Sequence, residues 1–231
     1  MNNGFVKYGE VSLGQDVWIG EYCVIGCPKE ENIRFHFESK RGLNSIVAPV
    51  RISDRCIIGN HVCIYEGVEI SSKTYIEDHV RIGYNCKIGR NVRIMYGSYI
   101  CDRVAIQDNA RVAGFICDGA QIGERSTVMG DLVHEYSRPH LDWWEADESP
   151  PIVESDVIIG LHALVIGSVR ISSYVYVASG AIVTKSVPSR HIVLGTNDQI
   201  ALMNWRGSKL GDLIGHWNRQ WTSTDPSEGT S

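Results

Sequence analysis

The chain has 231 residues, 43% hydrophobic and 21% charged, which suits one domain with a sizeable core and excludes overall disorder. Its net charge of −5 leaves no basic excess to neutralise phosphates, which argues against an electrostatic nucleic-acid binder. No apolar run approaches the ~18 residues of a membrane span, and MNNGFVKYGE lacks a charged then apolar leader, so no membrane partner is expected and the cytoplasm is the expected location.

Along the chain, Leu13, Ile19 and Ile25 are spaced six apart. Residues 29–45 are charged and off this period, and are expected to be a surface excursion. From Ile52 the period holds through Ile58, Ile64, Ile70, Ile76, Ile82, Ile88, Ile94, Ile100 and Ile106 to Val112. Four residues into each unit comes a smaller residue, as in Cys56, Val62, Val68 and Thr74. Asp118 to Gln121 break the phase, and Ile122 and Val128 restart it. Residues 134–152, with three prolines, two tryptophans and five acids, form a second excursion. A third block runs from Val153 through Ile159, Val165, Ile171 and Val177 to Val183.

A period of six fits neither an amphipathic helix nor simple strand alternation. Short strands joined by tight turns account for it: three units close one triangular coil, with the aliphatic residue inward on each wall. No coil buries its apolar edge alone, so coils must stack. About 23 units give seven to eight coils, a prism roughly 37 Å long at about 4.8 Å per coil. The expected organisation is an all-β parallel β-helix over 1–195 with inserts at 29–45 and 134–152. A partly helical tail at 196–221 and a disordered tail at 222–231 follow.

The seven cysteines are odd in number, lack a CxxC pair and mostly fall on the repeat. They read as reduced, with Cys23, Cys56 and Cys86 as small core residues. His61 and His79 lie eighteen apart, one above the other. The same position elsewhere holds Asn85, Asn91, Arg103 and Asn109, so these histidines read as outward turn residues.

The hexad run, with IGEYCV, IGCPKE and the closing stretch DVIIGLHALVIG…VASGAIVTKSVPSRHIVLG (156–195), resembles the hexapeptide-repeat acyltransferases over about residues 11–195. The resemblance implies a left-handed parallel β-helix, a homotrimer, and acetyl-coenzyme A as co-substrate in the groove between two subunits, with no metal. It implies N- or O-acetyl transfer to a small amine or alcohol, an amino sugar or nucleotide sugar being favoured. A loop histidine would be the general base. His134, where the chain leaves the coil, is the first candidate and His140 the second. Gly160, Ala163, Ser179, Gly180, Thr184, Lys185 and Arg190 match coenzyme-lining positions. Asp131, Glu135, Asp142, Trp143 and Trp144 are candidates for acceptor binding or for orienting the base; Glu154 is a further orienting candidate. The tail departs from the family pattern: Thr196-Asn197-Asp198-Gln199 carries an acid where a base is common. Two alternatives stay open, a non-catalytic β-helix scaffold subunit and a γ-carbonic-anhydrase-like metal hydratase. The second lacks the G-H-x-x-x-x-H element of that class.

Overall fold

A computed structural model describes residues 4–138, 140, 148–207 and 209–224, with side chains to 220. The chain is a left-handed parallel β-helix. Its strands, mostly two residues long, stack into three sheets of nine, eight and ten members. The first sheet starts at Val6–Lys7, the second at Val11–Leu13 and the third at Trp18–Ile19. Nine strands on one wall are one coil more than the hexad count, because Val6–Lys7 pairs with Val24–Ile25 above the first aliphatic position.

All eleven residues of the series Ile52 to Val112 are buried, each at most 2% exposed. In register, Ile64, Ile82, Ile100 and Ile116 form one inward column, and Ile70, Ile88 and Ile106 another. The residue before each points outward, so one strand supplies both core and face.

Corners are turned by residues in the left-handed region, among them Arg55, His61, Lys73, His79, Asn85, Asn91, Arg103 and Asn109. A side chain there costs free energy. The coil-to-coil hydrogen bonds on either side, such as His79 N–H to the Asn60 carbonyl at 2.9 Å, hold the turn regardless. Buried hydroxyls replace aliphatics at a few corners. Ser126 Oγ donates to the Glu154 carbonyl at 2.7 Å and accepts from Val157 N–H at 3.0 Å.

The phase break lies elsewhere than at Asp118–Gln121. The inward positions Val112 and Ile116 are only four apart, as are Val128 and Leu132, so two successive corners between the third and first sheets are each short by two residues. From Ile116 to Ile122 the step is an ordinary six.

Both inserts leave at the edge between the first and second sheets, after Val24–Cys27 and after Asp131–Val133. Those strands are five steps apart, about 24 Å along the axis. The first insert holds helix α1 (Glu30–Ser39). The buried carboxylate of Glu66 fastens it by accepting from Lys29 N–H, Asn32 Nδ2 and Ala48 N–H. The second insert ends one residue earlier than expected, since Ile152 already lies in a strand.

At the other end, His191–Leu194 pairs antiparallel with Asp198–Ala201. Helix α2 (Gly211–Thr224) then lays Leu213, Ile214 and Trp217 on the third sheet around Ile158, Tyr174 and Tyr176. The helix runs through Thr224, three residues into the segment expected to be disordered; residues 225–231 lie outside the described residues.

Candidate active site

His134 follows directly on the strand Asp131–Val133, which pairs with Leu164–Ile166. It is half-buried. Its Nδ1 is shut off from solvent and meets no hydrogen-bond partner among the described residues. The neck of the insert is closed by Glu148, whose carboxylate accepts from Tyr136 N–H at 2.8 Å and from Ser137 N–H at 2.6 Å. Desolvation raises its pKa, but the hydrogen bonds together outweigh it and hold the carboxyl below its usual range. Glu135, Ser137, Arg138, Glu148, Ser149, Gly167 and Ser168 line a shallow pocket of about 150 Å³ at this neck. His140 is exposed, at a turn. Asp142, Trp143 and Trp144 lie outside the described residues.

The acids expected around the base are partly committed elsewhere. One oxygen of Asp131 accepts from Phe115 N–H at 2.7 Å. Glu154 accepts from Arg170 at 3.0 Å and from Ser173 N–H at 3.0 Å. Glu135 is exposed and packs over Gly167.

The coenzyme candidates divide between edges. Gly160, Ala163, Ser179 and Gly180 lie at the edge between the third and first sheets. Thr184 and Lys185 lie across the first sheet, on the same edge as His134. The first sheet therefore has candidates on both sides. Arg190 is set apart on the remaining edge, where it donates to Asn218 Oδ1 of α2 at 2.5 Å. Coil packing alone requires some of these small residues. A Cβ on Gly160 would stand 2.6 Å from Ser179 N, and one on Gly130 would stand 2.2 Å from the Ala163 carbonyl oxygen. The unusual tail has its own role: Asn197 accepts from Thr184 N–H and donates to Thr184 Oγ1, both at 2.8 Å.

Sequence reasoning missed the outward row of the first sheet. Arg81 lies between Tyr65 and Tyr99, its guanidinium carbon 4.4 Å and 4.6 Å from the two ring centroids. Tyr99 stacks on Phe115 at 5.4 Å. The signal was the position before each inward residue in every third hexad. Asp102 and Asp118 share the neighbouring edge, and burial, then the Asp118 charge, push the Asp102 carboxyl up. Burial likewise pushes the Cys86 and Cys117 thiols up to about 12. All seven cysteines are free.

His61 and His79 are exposed corner residues, stacked at 4.8 Å within a column that begins at Tyr22 and ends at Tyr96. Among the described residues no three His, Cys, Asp or Glu side chains gather as a metal site, and no helix is long and apolar enough to cross a membrane.

Six-residue steps, three parallel sheets and a left-handed corner residue at most steps are now in view. They make the chain a parallel β-helix of six-residue steps, the fold that its resemblance to the hexapeptide-repeat acyltransferases implies. No protein-family model matches the chain. A 48-residue stretch is 48% identical to 2,3,4,5-tetrahydropyridine-2,6-dicarboxylate N-acetyltransferase of Staphylococcus aureus, covering 21% of this chain. The chain matches only 20% of the length of that relative. The polySia-specific acetyltransferase NeuO is similar at 14% identity and a TM-score of 0.42, over 96% of this chain and 93% of that one. UDP-N-acetylglucosamine acyltransferase from Campylobacter jejuni is similar at 16% identity and a TM-score of 0.37, over 95% and 82%. None of these values carries a substrate over to this chain.

Proposed function

We propose that the chain is an acetyl-coenzyme A-dependent acyltransferase acting on a small amine or alcohol, with an amino sugar or nucleotide-linked amino sugar as the favoured acceptor. The observation that carries the reading is His134. It is an imidazole at the point where the chain leaves the coil, with one ring nitrogen held from water and unpartnered among the described residues. A flat-walled prism has no deep pocket of its own, so a working site needs a protruding insert or a junction between copies. The edge that carries His134 carries both inserts. A homotrimer, with coenzyme lying between neighbouring prisms, would complete the site.

In this reading His134 takes the proton from the acceptor nitrogen or oxygen as that atom attacks the thioester carbonyl. The new C–N or C–O bond forms and the C–S bond breaks. The thiolate leaves as free thiol, taking the proton from His134. A backbone N–H near Gly160 to Ala163 of a neighbouring copy would meet the oxyanion, since within one chain that corner and His134 lie on opposite edges of the first sheet. Asp131 and Glu135 flank the base, and His140 is a second base candidate from the same insert.

Thiol release by the purified chain with acetyl-coenzyme A and a panel of amines and amino sugars tests this. His134→Ala should lower turnover about 10²- to 10⁴-fold while the fold is kept. Thiol release with no acceptor of the panel, or full turnover in His134→Ala, overturns the reading.

A further inference from the structure

The outward row of the first sheet reads Cys63, Arg81, Tyr99, Phe115, Asp131, Leu164, Ile182, in register. Flat groups follow one another down it: the Tyr65 ring, the Arg81 guanidinium, then the Tyr99 and Phe115 rings. The stack stops at Asp131. That side chain is short and tied back to Phe115 N–H at 2.7 Å, over Gly114, where a Cβ would stand 2.6 Å from its carboxylate oxygen. The ladder thus ends on an open ring, Phe115 being 39% exposed, one step before the strand that delivers His134.

A second, separate feature marks the same place. The two shortened corners are those that lead into Phe115 and into Asp131. Each lacks two residues that other corners have, so these two steps carry less overhang beside the row. The upper end of the row gathers three cations, each with an acid beside it, and Arg81 also hydrogen-bonds the Tyr65 side chain. Arg81 Nη1 donates to the Ile100 carbonyl at 3.3 Å, and Nη2 is a loose 3.9 Å from Asp102. Lys29 and Arg103 flank the Tyr84 ring on the adjoining edge, held at 3.3 Å by Glu31 and at 3.8 Å by Asp118.

We propose that this row is the acceptor subsite, with the acceptor's sugar ring lying on Phe115 beside His134 and a phosphate of the same molecule at Arg81. The inference rests on the acyl-transfer reading and narrows its acceptor to a phosphate-linked sugar. From Phe115 to Arg81 is two steps, about 10 Å. A free monosaccharide cannot touch both ends; a sugar with a phosphate or nucleoside diphosphate can. Arginine suits the upper end because a planar fork stacks on rings and still offers N–H groups to phosphate.

Calorimetry on the full chain, with glucosamine, glucosamine 1-phosphate and uridine diphosphate as probes, tests the subsite. The phosphorylated probes should bind and glucosamine should bind at least tenfold more weakly; the two phosphorylated arms separate a simple sugar phosphate from a nucleotide-linked sugar. Arg81→Gln should weaken the phosphorylated probes at least tenfold, with Arg81→Lys between it and the parent. Phe115→Leu should weaken glucosamine 1-phosphate severalfold, and Arg51→Gln on the second sheet should change nothing. Equal probe binding by parent and Arg81→Gln, or equal binding of glucosamine and its phosphate, overturns the proposal. So does a Phe115→Leu chain that changes only its sedimentation, because the row would then be a subunit contact. A parent that releases thiol with amines yet binds no phosphorylated probe sinks the subsite alone. A parent that binds the probes through Arg81 yet never releases thiol sinks the acyl-transfer reading alone.

Discussion

Lys87 and Ile88 are neighbours in one strand and point opposite ways, so truncating each in turn measures what the inward column contributes. Ile88 is 2% exposed and sits between Ile70 and Ile106. Ile88→Ala removes three carbons at about 0.8 kcal/mol each, some 2.4 kcal/mol. The space left, up to roughly 75 Å³ if the coils do not close on it, adds about 2 kcal/mol at about 24 cal/mol per Å³. The expected loss is therefore about 4 kcal/mol. Lys87 is exposed, and Lys87→Ala should stay within about 0.5 kcal/mol of the parent. Guanidinium unfolding followed by circular dichroism reads both, as a shift in midpoint at unchanged slope. A loss below about 1 kcal/mol for Ile88→Ala, or equal losses for the two variants, would refute an architecture held together by its inward columns.

Ser126→Ala should cost about 1–3 kcal/mol by the same assay, because it leaves Val157 N–H buried without its acceptor just after the second insert; Ser126→Thr, which keeps the hydroxyl, should recover part of it. Asp102 has its carboxyl pushed up by burial and by Asp118, so the folded chain binds this proton more tightly than the unfolded chain. Stability tied to it is present below the ordinary aspartate pKa and is lost as pH rises through the folded value. Asp102→Asn, whose amide oxygen still accepts from Tyr84 N–H, should flatten that part of the curve of melting temperature against pH; a curve unchanged in shape would contradict the assignment. Glu148 has the opposite sign. Its hydrogen bonds to the insert neck are strongest while it is ionised, so the protection of the Tyr136 and Ser137 amides, with exchange referred to the intrinsic rate at each pH, should fall as pH drops below the usual carboxylate range and stay constant above it.

How much could be read beforehand is clear from particular residues. The isoleucines from Ile52 to Ile106 announced the coil, since only an inward wall every six residues makes that spacing favourable. The same register held the Arg81–Tyr99–Phe115 row one position earlier, but nothing in one dimension says that residues sixteen and eighteen apart stack. Nor could it say that Val112 to Ile116 is a short step, because Asp118 to Gln121 looks equally irregular in the sequence.

The linear chain determined the architecture, because hydrophobic burial repeats locally and each hexad carries its own instruction. The tertiary structure decided the site. Which edge carries both inserts, that Arg190 falls on a different edge from Thr184 and Lys185, and that Asp131 is spent on Phe115 N–H all depend on how coils count around the prism. That count depends on two missing pairs of residues, whose effect exists only once the walls are closed.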